Sequence, residues 1–121
     1  MERWAEKAEK YRDYARRSFE ADEYVTCFPA QQSSESLLKA LLIKEVGARP
    51  LAHSLYEMVK RMAQLRNQVL SEEVARRAKS LEEHYIQARR PDARLGHYER
   101  WEAEECLRCA EALWRWTGGS R

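Results

Sequence analysis

The chain is poor in the features that usually announce a site. It holds three cysteines, an odd number and too few for the disulfide framework of a small secreted domain. Lys and Arg total 22 against 20 Asp and Glu, so the formal charge is only +2. A balance that close provides no global field to draw the chain to nucleic acid or to a membrane, and any anion site must be local. No apolar run approaches the length of a spanning helix. The first residues, MERWAEKAEK, are charged from the second position rather than carrying the apolar core of a signal peptide. A soluble, cytoplasmic protein without membrane association is expected. Asn67 is the sole asparagine while Glu and Arg abound, a balance that fits a thermophile's surface ion pairs and avoidance of labile side chains. No Glu-x-x-His pair occurs, which removes the di-metal carboxylate bundle, the main enzymatic use of four packed helices. With no second paired set of cysteines, no metal site is expected and no cofactor.

What is present is helical periodicity in every segment, with no sustained period-two alternation. The expectation is an all-α fold, one domain over residues 1–117 followed by a short flexible tail at 118–121, since 121 residues suffice for one core and not two. The first helix places Trp4, Ala8, Tyr11, Ala15, Ser18 and Phe19 on one stripe, with charge opposite. The sequence EADEY breaks it. Asp22 or Thr26 can cap the second helix, Pro29 is tolerated near its first turn, and Gly47 and Pro50 end it. Ser54 opens a third helix with capping-box spacing to Glu57, followed by the stripe Leu55, Met58, Val59, Met62 and Leu65. Ser71, with Glu72 and Glu73 in the first turn, opens a fourth carrying Val74, Ala78, Leu81 and Tyr85, which should stop before Pro91. His84, beside Glu82 and Glu83, reads as a solvated surface residue.

The last helix, from about Tyr98 to Trp116, has two apolar arcs: Ala103, Cys106, Leu107, Ala110, Leu113 and Trp114 on one, Tyr98, Trp101, Cys109, Ala112 and Trp116 on the other. Either the helix has a wide core face, or the second arc meets another subunit, where aromatic side chains are enriched. Cys106-x-x-Cys109 reads as two small apolar residues on this helix, with a disulfide as the alternative in a hyperthermophile.

The second helix raises a question of its own. Its first half, Gln31, Gln32, Ser33, Ser34, Glu35 and Ser36, is polar, and its second half, Leu37 to Ile43, is apolar. This segment is similar to the A-Q-Q-A-x-E-K-A-L-K-A-L-L signature of the HEPN family through Ala30, Gln31, Gln32, Glu35, Leu38, Lys39, Ala40, Leu41 and Leu42, with Ser33 and Ser36 departing from it. GARPLAHSL resembles the family's G-x-x-P-x-x-H-x-L through Gly47, Pro50, His53 and Leu55. YIQARRPD resembles Y-I-x-x-R-Y-P-D through Tyr85, Ile86, Arg89, Pro91 and Asp92, with Arg90 in place of the usual Tyr. Tyr98 and the closing helix match in position and character, so the resemblance covers nearly the whole chain.

The resemblance implies an antiparallel, up-and-down four-helix bundle with a short additional helix, commonly a homodimer, and often encoded beside a minimal nucleotidyltransferase. It places Gln31, Gln32 and Glu35 along a partly polar groove, bridging helices or holding a ligand, and makes Arg89, Arg90 and Asp92 candidates for a nucleotide or RNA site or for an ion-paired loop lock. His53, next to the capping Ser54, is read as structural. The function expected from it is an interaction and nucleotide-binding module acting with a nucleotidyltransferase partner, in the manner of a toxin–antitoxin pair. The alternative is a metal-independent ribonuclease toxin. Nuclease members of the family use an Arg and a His with four to six residues between them, a spacing that Arg90 and His97, with six between them, satisfy. Such cleavage needs a base near neutral pKa and a planar cation on the phosphate. Pro91 and Gly96 make that stretch a loop, whereas the family's motif lies in a regular helix.

Overall fold

A computed structural model describes residues 2–21, 26–47, 54–89 and 99–118. It contains α1 (Glu2–Glu20), α2 (Cys27–Val46), α3 (Leu55–Leu65), α4 (Glu72–Arg89) and α5 (Arg100–Thr117), and no strand among the described residues. The contacts α1 to α2, α2 to α4, α4 to α5 and α5 to α1 close an antiparallel four-helix bundle, with the short α3 laid against α2 and α4. No helix among the described residues is long and apolar enough to cross a membrane.

Local chemistry explains the element ends. Ser54 accepts the Glu57 amide at 3.0 Å to start α3, and Ser71 accepts the Val74 amide at 3.1 Å to start α4, each satisfying one of the orphan donors of a first turn. Gly47 closes α2 at φ 81°, its N–H donating to the Ile43 carbonyl at 2.7 Å, in the left-handed region where glycine has no Cβ to clash. After α3 the same conformation falls to Asn67 at φ 57°, so the sole asparagine occupies a position that this residue type tolerates better than most. Thr26 precedes α2 as expected but does not cap it. Its own backbone is helical, and its buried hydroxyl has no hydrogen-bond partner among the described residues. Asp22, Pro50 and His53 lie outside the described residues.

The core is the meeting of the predicted stripes. Leu38 and Leu42 of α2, Leu55, Met58, Val59 and Met62 of α3, Leu81 of α4 and Leu113 of α5 are almost completely buried in one cluster. Leu65, the last residue of α3, falls off that stripe and is exposed. On α1, Ala8, Ala15 and Ser18 are buried, and Trp4, Tyr11 and Phe19 are half-buried. Cys109 is buried and Trp116 packs against the core cluster, so part of the second arc of the last helix widens its core face. Trp101 is left as the exposed aromatic of the second arc.

The cysteines pair across the bundle rather than within Cys106-x-x-Cys109. Cys27, at the start of α2, is bonded to Cys106 in the middle of α5, with a Cα–Cα distance of 5.1 Å, and Cys109 stays a buried thiol. A bond spanning 79 residues of sequence is expected to stabilise the fold by about 4 kcal/mol through the entropy it removes from the unfolded chain.

Candidate functional site

The polar half of α2 turns out to be a set of internal bonds. Trp114 Nε1 donates to Ser33 Oγ at 2.8 Å, both groups buried, and Ser34 Oγ donates to the Ala30 carbonyl at 3.2 Å. Gln31 is buried, and its amide donates to Glu35 Oε1 at 3.1 Å while its carbonyl accepts from Gln32 at 3.0 Å. Glu35 Oε2 also holds Lys39 at 2.7 Å, and the Lys39 ammonium stands 4.9 Å from the centre of the Trp4 ring. The structure therefore brings Gln31, Gln32 and Glu35 together on one ladder along α2 that also holds Lys39.

Arg89 is the last residue of α4. Arg90, Asp92 and His97 lie outside the described residues.

A second site, missed by sequence reasoning, lies between the outer faces of α4 and α5. A groove of about 620 Å³ is bordered by Arg76, Arg77 and Ser80 of α4 and by Trp101, Glu105 and Arg108 of α5. Trp101 is 63 % exposed, an indole presented to solvent rather than to the core. Arg77 is held by Glu73 at 3.3 Å and Arg108 by Glu104 at 3.2 Å, each one helical turn away, while Arg76 makes no ion pair among the described residues. Below them, burial pushes the Cys109 thiol up, against the opposing pull of the Arg77 guanidinium, so this thiol stays protonated at neutral pH and is a poor nucleophile.

The groove pairs a flat π-surface with guanidiniums, the combination that stacks a base and holds its phosphate. Three arginines meet three carboxylates along it, so it is locally neutral, and a phosphate must compete with Glu73 and Glu104 for two of the three cations. Arg76, without an ion pair among the described residues, is the cation placed to act first. The signal in the sequence was the spacing of Arg76, Arg77 and Ser80 on α4 and of Trp101, Glu105 and Arg108 on α5, each set within two turns on one face. It was hidden because charged outer faces ordinarily read as solvent-facing.

His84 is a further correction. Its side chain is only 14 % exposed, and its Nε2 lies 3.3 Å from Glu105 Oε1, while Glu105 Oε2 accepts from Ser80 Oγ at 3.2 Å. The rotation of α4 that buries Leu81 against α5 carries the neighbouring imidazole inward with it. Glu82 of the same turn accepts the Leu55 amide at 3.1 Å, tying α4 to the start of α3.

Comparison with known proteins agrees with this architecture. The model of the HEPN domain matches residues 1–120. The structure is similar to that of TT1696 from Thermus thermophilus, with a TM-score of 0.80 and 30 % identity over 97 % of this chain and 94 % of that one. It is also similar to ST0689, an archaeal HEPN homologue, with a TM-score of 0.75 and 25 % identity over 98 % and 94 % of the two chains. A HEPN domain protein from Thermotoga maritima shares the fold at a TM-score of 0.72 and 22 % identity, over 96 % and 94 %. No curated protein matches.

Proposed function

Since the chain belongs to the HEPN domain family, we propose that it is an interaction and nucleotide-binding module that works as a homodimer with a minimal nucleotidyltransferase partner, in the manner of a toxin–antitoxin pair. The observation that carries this reading is the groove between α4 and α5, which is lined both by the exposed Trp101 indole and by Arg76, a cation with no ion pair among the described residues. A single-stranded RNA segment fits that chemistry, its base stacking on the indole and its phosphate held by Arg76. Arg89 ends α4, Arg90 and Asp92 follow it in sequence, and on this reading the three would extend the contact along the strand. Gln31, Gln32 and Glu35, bonded among themselves, act on this reading by fixing α2 rather than by reaching outward.

The test is a titration of a fluorescently labelled single-stranded RNA with the purified protein, followed by anisotropy. Trp101→Ala and Arg76→Ala should each weaken binding about ten-fold, given that base stacking on an aromatic contributes about 1–3 kcal/mol. Binding that neither substitution alters, or no binding by the unaltered protein, would overturn the groove as the site. The partner is tested separately. A nucleotidyltransferase encoded beside this chain should co-elute with it, and failure to form that complex would remove the pairing.

A further inference from the structure

The Cys27–Cys106 disulfide has a third group beside it. The two Sγ atoms and one imidazole nitrogen of His84 all lie within 4.8 Å of one another, on three different helices. Both cysteines are buried and His84 nearly so. The imidazole is also oriented. Its Nε2 faces the Glu105 carboxylate at 3.3 Å, and Nδ1 is fully buried. With the proton on Nε2 and donated to Glu105, the lone pair sits on Nδ1, which is the tautomer a metal-binding histidine adopts when a carboxylate supports it from behind.

From this geometry we infer that the reduced protein binds one Zn²⁺ ion through Cys27, Cys106 and His84, and that oxidation to the disulfide expels it. Two sulfurs and one imidazole are the donors that zinc prefers among protein side chains. In a tetrahedral site with Zn–S near 2.3 Å, two thiolate sulfurs stand about 3.8 Å apart. The cluster spans no more than 4.8 Å, so reduction followed by a small opening of the sulfur pair suffices. Among the described residues no fourth His, Cys, Asp or Glu joins the group, so the fourth corner is left to water or an exchangeable ligand. Cys109, one turn from Cys106 and engaged with Arg77, is not part of the set.

The chemistry balances in both directions. A dithiol reductant, or in the laboratory a phosphine with one water, gives the disulfide two electrons and two protons. Zinc then displaces both protons as the thiolates form. A hydroperoxide reverses the cycle by taking two electrons from the paired sulfurs. The S–S bond forms, the O–O bond breaks, two protons are consumed, and Zn²⁺ is released. Bonded to each other, the sulfurs have no thiolate to offer, so the disulfide and the metal exclude one another.

The test uses the full chain and Co²⁺ as a spectroscopic stand-in for the silent Zn²⁺. After reduction with a phosphine and its removal under nitrogen, one equivalent of Co²⁺ should give a thiolate-to-cobalt charge-transfer band and the visible absorption of a tetrahedral ion. Zn²⁺ should bleach both, and one equivalent of hydrogen peroxide should release the zinc to a chromophoric chelator. The disulfide form should give none of these signals. Cys27→Ser and His84→Asn should lose the spectrum, Cys109→Ser should keep it, and Glu105→Gln should weaken binding on the order of ten-fold by removing support behind the imidazole. Circular dichroism accompanies each variant. If reduction alone lowers helicity, zinc should restore it. A spectrum from the disulfide form, its survival in folded Cys27→Ser, its loss in Cys109→Ser, or a reduced chain that gives no band and no helical recovery would each overturn the site.

Discussion

Trp114 on α5 donates its indole N–H to Ser33 on α2 across 2.8 Å, with both groups inside the bundle. A serine where the family's signature carries alanine is thereby explained, because it satisfies a donor that would otherwise be buried without a partner. Ser33→Ala should destabilise the protein by about 1–3 kcal/mol, the cost of an unsatisfied buried donor. Trp114→Phe in that background should recover part of the loss, by removing the donor as well. Urea unfolding of the two single variants and the double variant measures this, and additive losses would show that the bond contributes nothing.

Glu111 on α5 is gripped by two arginines of α1: Arg12 at 2.8 and 3.2 Å, and Arg16 at 2.8 and 3.1 Å. Burial alone would raise its pKa, but the guanidinium hydrogen bonds prevail and hold the carboxyl below its ordinary value. A depressed folded pKa gives stability that is complete above the unfolded reference of about 4.3 and is lost as pH falls through the folded value. The stability gap between the unaltered protein and Glu111→Gln should therefore be level near neutrality and shrink below about pH 4.3. Glu82 shifts the other way, raised by burial that outweighs the opposing hydrogen bonds of the Leu55 and Tyr56 amides, so its protonation favours the fold as pH drops. Unfolding curves collected from pH 7 to 3 separate the two, and a gap for Glu111→Gln that widens in acid would contradict the assignment.

The homodimer and the groove can be told apart at Trp101. Light scattering should give a dimer for both the unaltered protein and Trp101→Ala, while RNA affinity falls in the variant. A monomeric Trp101→Ala would instead assign the exposed indole to the subunit interface. Trp116, packed on its own core, is unsuited to this test because its replacement would report on folding.

Cleavage is the last expectation. With chelator present and no added metal, the purified protein should leave single-stranded RNA intact from pH 5 to 8. Cleavage that rises as His97 loses its proton near its reference pKa of about 6.5, and disappears in His97→Ala with helicity unchanged, would establish the nuclease.

The helices were legible because their signals are local. Ser54, Ser71 and Gly47 mark ends through hydrogen bonds within a turn, and the stripe Leu55, Met58, Val59, Met62 reaches the core as its period requires. What depended on helix rotation and on distant neighbours was not legible. Nothing near Cys27 announces a partner 79 residues on. His84 looks solvated between two glutamates until the burial of Leu81 fixes which way α4 turns. The groove at Trp101 needs α4 and α5 side by side before Arg76 and the indole line one surface.

Among the described residues, α2 is the one helix that touches each of the other four. Its buried residues, from Gln31 and Ser33 to Leu38 and Leu42, cover most of the cylinder and leave one partly open stripe at Gln32, Glu35, Lys39 and Ile43. On an ordinary amphipathic helix, half of the positions can drift without consequence. On α2 far fewer can, since a larger residue at Ser34 or Ala40 would push against one neighbour and a smaller one at Leu38 would leave another unsupported. A saturation library of this protein should therefore show α1 and α4 tolerant on their outer faces and α2 intolerant through its middle turns except along the stripe of Gln32, Glu35, Lys39 and Ile43, which makes that helix the last place to introduce a label, a tag or a stabilising charge.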